Sequence, residues 1–119
     1  MKKLILMIGI LLVGSTGWAV DTYHFFSTGT VTPDVSTLIS ILDSANVPTT
    51  SNNVLILNDS TTADAYVDLS GRLTEAYMTA ESKAFTLKAG EYFTGEFRTN
   101  KIKIRGKTFN VPYRVWALF

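Results

Sequence analysis

The last twenty residues, "NKIKIRGKTFNVPYRVWALF", carry the feature that most constrains this chain, an alternation with a period of two. From Lys101 to Arg105 the odd positions are basic and the even positions isoleucine. From Val111 to Phe119 the odd positions are apolar or aromatic. Successive side chains of a strand point to opposite faces, so this pattern predicts half-buried β-strands. Gly106-Lys107 suits a two-residue type II′ turn, which takes glycine first. A hairpin closed there sets Arg105 against Thr108, Ile104 against Phe109, Lys103 against Asn110 and Ile102 against Val111. Its inward set is Ile102, Ile104, Phe109, Val111, Tyr113, Val115, Ala117 and Phe119. Its outward set is Lys101, Lys103, Arg105, Thr108, Asn110, Pro112 and Arg114. Both strands bury the same face, so the register is self-consistent. Pro112 then faces Lys101 where each partner should donate a backbone hydrogen bond, and proline has no N–H. The ladder is expected to stop or bulge near Pro112, or the strand to lie there as an exposed edge.

Lys101, Lys103, Arg105, Lys107 and Arg114 are the candidate binding residues. Alternate positions on a strand repeat at ~6.6 Å, close to the phosphate spacing of a nucleic acid strand. Nucleic-acid modules also present exposed aromatic rings for stacking, and this outward face adds only Trp116. The competing role for the same residues is a solvated face with internal ion pairs. Charge is unevenly distributed along the chain. All ten acids lie between Asp21 and Glu96 with only three bases among them, whereas residues 97–119 hold six bases and no acid. Such asymmetry fits an acidic protein partner, a self-complementary surface, or opposite charges on neighbouring strands.

The chain opens "MKKLILMIGILLVGSTGWAVD". Two lysines, an apolar run from Leu4 to Val13 and small residues ending in Ala19 have the layout of a secretory signal peptide cleaved after Ala19. The apolar run is short for a membrane-spanning helix, which needs roughly 20 such residues. Residues 1–19 are therefore assigned to a signal peptide and 20–119 to one β-rich domain, periplasmic or extracellular, with no membrane span after cleavage. There is no cysteine, which excludes disulfides, thiolate metal sites and a cysteine nucleophile. A domain of this size without disulfides relies on its core, and one of ~100 residues buries somewhat over ~60% of its unfolded surface.

Residues 21–31, "DTYHFFSTGTV", read as a first strand bent at Gly29. Thr32, Pro33 and Asp34 form a helix start, and Val35, Leu38, Ile39, Leu42 and Ala45 follow a helical spacing. One short helix is expected over 33–45, ended by Asn46 and Pro48. "VLIL", residues 54–57, reads as a strand covered on both faces. "NDS" at Asn58 fits a glycosylation pattern but also turn chemistry. In "ADAYVDL", Ala63, Ala65, Val67 and Leu69 alternate with Asp64, Tyr66 and Asp68. "LTEAYMTA" is ambiguous between strand and helical turn. Gly90 is placed as the left-handed residue of a three-residue hairpin loop joining "AFTL" to "YFTGEFRT".

No Gly-rich phosphate loop, HExxH pattern or EF-hand is present. His24 is the single histidine, and no motif ties a nucleophile to it. Asp64 and Asp68, ~13 Å apart along a strand, are too distant for glycoside hydrolysis. The alternating C-terminus ending in Phe119 resembles the closing strand of outer-membrane barrels, but such barrels need eight strands of about ten residues, more than this chain supplies.

The order "VLILNDS…AYVDL…FTLKAGE…NKIKIRG…VPYRVWAL", over residues 53–119, resembles small β-sandwich structural proteins of phage virions. Asn58, Leu87, Gly90, Glu91, Ile102, Ile104 and Val115 carry the resemblance, and the signal-like start departs from it. The resemblance implies a structural or decorating role and no catalytic residues. The expectation is thus a mainly β fold, a small antiparallel sandwich or incomplete barrel with one short helix. Its expected function is that of a non-enzymatic exported structural, assembly or binding module, without cofactor or metal. The basic C-terminal hairpin would meet an acidic surface on another copy or another protein. The alternatives are a domain that binds an anionic polymer or a small ligand, or an outer-membrane-associated β protein.

Overall fold

The computed structural model describes residues 24–78 and 84–119. The proposed signal peptide lies outside the described residues. Among the described residues, eight strands form two antiparallel four-stranded sheets. They are β1 (His24–Val31), β2 (Thr37–Ser40), β3 (Asn53–Asn58), β4 (Ala65–Asp68), β5 (Phe85–Leu87), β6 (Tyr92–Gly95), β7 (Lys101–Gly106) and β8 (Val111–Leu118). Among the described residues one four-residue helix, α1 (Glu75–Met78), joins them. The first sheet runs β1-β8-β3-β6 and the second β2-β7-β4-β5. The mainly β fold expected from the sequence is observed, as two unclosed sheets.

The alternation places the core between the sheets. Val54, Ile56, Val111, Tyr113, Val115 and Ala117 from the first sheet meet Ile39, Ala65, Val67, Ile102 and Ile104 from the second. β3 is buried on both faces, as its continuous apolar run predicts: Leu55 and Leu57 form a separate outer cluster with Trp116. β4 is also buried on both faces, because Tyr66 packs with Leu73, Met78 and Ala84 around α1.

Three sequence expectations are corrected. The helix over 33–45 is instead a turn followed by β2, paired with β7 through Ile39 opposite Ile102. Thr37, Ile39 and Ile41 are β-branched at a period of two, and Ile39 and Ile41 are buried while Val35 and Leu38 stay exposed. The Thr32 carbonyl accepts from the Gly106 N–H rather than opening a helix. Tertiary pairing thus overrides the capping signal.

The second correction is the C-terminal hairpin. β7 and β8 belong to different sheets, so residues 107–110 form an arch across the core. Gly106 and Lys107 donate their N–H groups to Thr32 and Asp64, at 3.0 Å each, which holds the strand end between neighbours and away from Thr108. Phe109, expected inward, lies in the arch and is 66% exposed. The other members of the inward set are buried or pack on the core. The third correction is parallel to it. Gly90 has the expected positive φ of 76°, but its turn leads from β5 in one sheet to β6 in the other.

Pro112 is accommodated by the pairing of β8 with two partners. Asp59 donates its N–H to the Pro112 carbonyl at 2.9 Å, so the even residues of β8 exchange hydrogen bonds with β3. The missing N–H of Pro112 points past Asn58, the last residue of β3. The ladder to β3 ends at Asn58 opposite Tyr113, while the ladder to β1 runs through Pro112 to Val31 opposite Val111. The stop or exposed edge expected at Pro112 belonged to a β7–β8 pairing that does not form, and β8 is a central strand.

Candidate functional site

The five basic residues do not form one surface. Lys101, Lys103 and Arg105 lie on β7, Arg114 lies on β8 in the other sheet, and Lys107 lies in the arch. Arg105 meets several acceptors in the segment before β2 and in α1. It pairs with Glu75 at 3.0 Å and donates to the carbonyls of Pro33 (2.8 Å), Asp34 (3.2 Å) and Glu75 (3.2 Å). Glu75 also accepts from the Ser36 N–H and hydroxyl. The Ser36 hydroxyl is the main cause holding the Glu75 carboxyl below its ordinary range, with the Arg105 and Lys103 charges assisting. Lys103 donates to the Leu73 carbonyl at 2.7 Å. Lys107 sits 5.9 Å from the Tyr66 ring centroid, within cation–π range.

Arg114 forms a fork with Asp59, 2.7 and 2.9 Å, which raises the guanidinium above its usual value. Asp59, Glu75 and the loop carbonyls that engage the bases were not singled out in the sequence. They lie 30 or more positions from their partners, and only the sheet topology brings them together. The glycosylation pattern at Asn58 is likewise resolved. The side chain is 2% exposed and donates to the carbonyls of Ala63 and Leu87, so it is an internal brace.

A different element offers unpaired hydrogen-bonding capacity. The odd residues of β8 bond toward β1 at Phe25, Ser27, Gly29 and Val31, because the even residues bond toward β3. The backbone N–H and C=O groups of Phe26, Thr28 and Thr30 therefore point away from β8. Among the described residues no strand pairs with this side of β1. The strand spans eight residues and carries neither a charged residue of the Lys, Arg, Asp or Glu type nor a proline. The other edges, β2, β5 and β6, span four, three and four residues. On the outer face, Phe26 is 45% exposed and stacks against Trp116 with ring centroids 4.6 Å apart. The first residue of β1, His24, lies opposite Leu118.

A cleft of about 300 Å³ adjoins the start of β1, between Phe25, Phe26, Leu42 and Phe119. Among the described residues Asp43 is the only ionisable side chain lining it, and one of its carboxylate oxygens is taken by the N–H groups of Ala45 and Val47. Among the described residues no three histidine, aspartate or glutamate side chains converge as metal ligands. No helix among them is long and apolar enough to cross a membrane. Compared with known proteins, the chain matches no family model and no curated sequence.

Proposed function

We propose that this chain is an exported, non-enzymatic structural or assembly module that engages its partner by strand addition at the outer edge of β1. The observation that carries this reading is the eight-residue, uncharged edge whose alternate backbone groups face away from β8. An extended segment laid there gains main-chain hydrogen bonds, with Phe26 beside it as an apolar contact. Lys103, Arg105, Lys107 and Arg114 serve a different end in this reading, because their side chains engage loop carbonyls, carboxylates and an aromatic ring of the same chain. Export to the periplasm or beyond rests on the signal-like layout of residues 1–19. The virion-like order of motifs over 53–119 agrees with a structural role.

A peptide of the β1 sequence, HFFSTGTV, flanked by lysines for solubility, tests the edge directly. It is added to protein produced from the full-length sequence, at a concentration where light scattering reports a monomer. Amide exchange should slow at Phe26, Thr28 and Thr30 and stay unchanged at Phe25, Ser27 and Gly29, which already bond to β8. Thr28→Pro should abolish the effect while keeping the fold, because proline is tolerated where a strand N–H faces solvent. Unchanged exchange at all three edge amides under saturating peptide would remove strand addition as the mechanism.

A further inference from the structure

We infer that the strand added at this edge is β1 of a second copy, paired antiparallel about a two-fold axis at Ser27. This rests on the strand-addition reading and names its partner. The outward-bonding residues of β1 are the even ones, His24, Phe26, Thr28 and Thr30. An antiparallel partner must set even residues against even residues to form hydrogen-bonded pairs. Two central registers of β1 on itself satisfy this. An axis at Thr28 pairs Phe26 with Thr30 of the second copy and Thr28 with itself, and it sends His24 against Thr32, beyond the strand end. An axis at Ser27 pairs His24 with Thr30 and Phe26 with Thr28, in both directions. It alone employs all four outward-bonding residues within the strand.

The self-pairing also meets the chemical requirements of a sheet joint. Like charges directly opposite one another destabilise a strand pair, and β1 has no lysine, arginine, aspartate or glutamate to repel its copy. Phe26 would lie against Thr28, an aromatic residue beside a β-branched one, which is a favourable cross-strand pair. The joint continues the first sheet into eight strands and extends the Phe26–Trp116 contact across the axis. The contact is isologous, so it closes as a dimer and leaves no free copy of the β1 edge for a filament. Joining β1 to β6 of another copy would be open-ended, but β6 offers only four residues.

The absence of cysteine from the chain gives a clean test. In the Ser27 register, the two Ser27 residues form a pair without mutual backbone hydrogen bonds, with Cα atoms ~4.5 Å apart, within the range a disulfide spans. Ser27→Cys, introduced into protein produced from the full-length sequence, should give a covalent dimer under mild oxidation. It should do so at least ~10-fold faster than Thr28→Cys, whose two Cα atoms sit diagonally ~7–8 Å apart. The unmodified protein should be a dimer by light scattering at concentrations where Thr28→Pro is a monomer. Its mass should be unaffected by salt, since no charges pair across the joint. Faster cross-linking of Thr28→Cys would overturn the register, and a monomeric unmodified protein at high concentration would overturn self-pairing. If the edge amides still respond to the β1 peptide, strand addition survives with a foreign partner. If they do not, both readings fail.

Discussion

Replacing Asn58 by aspartate changes one atom of a buried side chain and should destabilise the domain severely. Asn58 ends β3 in the first sheet, and its Nδ2 donates to Ala63 at 2.8 Å and to Leu87, the last residue of β5 in the second sheet, at 2.9 Å. Its Oδ1 accepts from the Ser60 N–H at 2.9 Å. Asn58→Asp keeps the Ser60 bond but aims an acceptor at two carbonyl oxygens in a site that is 2% exposed. An uncompensated buried charge costs about 3–5 kcal/mol, and in a domain of this size each kcal/mol lowers Tm by about 4–8 °C. Asn58→Ala, which loses three hydrogen bonds and leaves their partners unmet, should cost about 3 kcal/mol. The two variants differ in pH dependence. Burial beside two carbonyls raises the new carboxyl above its ordinary value in the folded state, so the folded state binds the proton more tightly than the unfolded state. Stability of Asn58→Asp should therefore fall as pH rises from about 4, the unfolded carboxyl value, whereas its deficit against the parent narrows on acidification. Urea unfolding of both variants from pH 4 to pH 8 measures this. A loss below about 1 kcal/mol at pH 8, or a deficit independent of pH, would show that Asn58 is not the brace described.

Gly106→Ala should destabilise by about 3 kcal/mol in the same assay, because its Cβ would be driven into the Phe109 carbonyl oxygen and against the Thr32 and Pro33 backbone, which cannot swing aside. Gly90→Ala, where nothing lies near but φ is +76°, should cost only about 1–2 kcal/mol. For acid sensitivity, burial works to raise the Asp68 carboxyl, but the Leu73 N–H, the Ser70 hydroxyl and N–H, and the Arg72 N–H outweigh it, and the net effect is a lowered value. Glu75 is lowered as well, chiefly by Ser36. Their stabilisation is thus present above the unfolded value of about 4 and is lost as pH falls through the lower folded values. The urea midpoint should drop on acidification below pH 4, and Asp68→Asn should make that drop shallower. Refolding followed by tryptophan fluorescence should take milliseconds to seconds, since the first strand pairs with the last and almost every connection crosses between sheets.

The faces of the strands were legible in the sequence, and their neighbours were not. Alternation in β7 and β8 identified Ile102, Ile104, Val111, Tyr113, Val115 and Ala117 as interior, because a period of two fixes which side chains share a face. Turn chemistry at Gly106 and Gly90 marked where the chain reverses, but a reversal within one sheet and an arch between two use the same residues. What decides between them is the hydrogen bonding of the strand ends, such as Lys107 to Asp64, and that is set by distant strands. The expected helix over 33–45 failed for the same reason. Its apolar residues fit a helical spacing, but the pairing of β2 with β7 selects the alternative period carried by Ile39 and Ile41. The basic residues were found by type, but their engagement was not, because Arg105 meets Glu75 only after β7 and α1 are brought together.

The fate of those bases and the exposure of β1 follow from one arrangement. Folded proteins guard a free sheet edge with lysine, proline, a bulge or short length. Here β2, β5 and β6 are guarded by their shortness. Four of the five candidate binding residues and Pro112 sit on β7 and β8, which are central strands with partners on both sides. Their charges cannot deter an incoming strand; Lys103, Arg105 and Arg114 work instead as donors that fasten the loop before α1, the segment after β1 and the turn after β3 to the sheets. The long strand left at the edge is the one with no such guard. A monomer that avoided assembly would be expected to place a lysine or proline among Phe26, Thr28 and Thr30, and this chain places an exposed phenylalanine and two threonines there. The edge is thus open to the strand addition proposed above, and the Thr28→Pro variant tests that property apart from the stability of the sandwich.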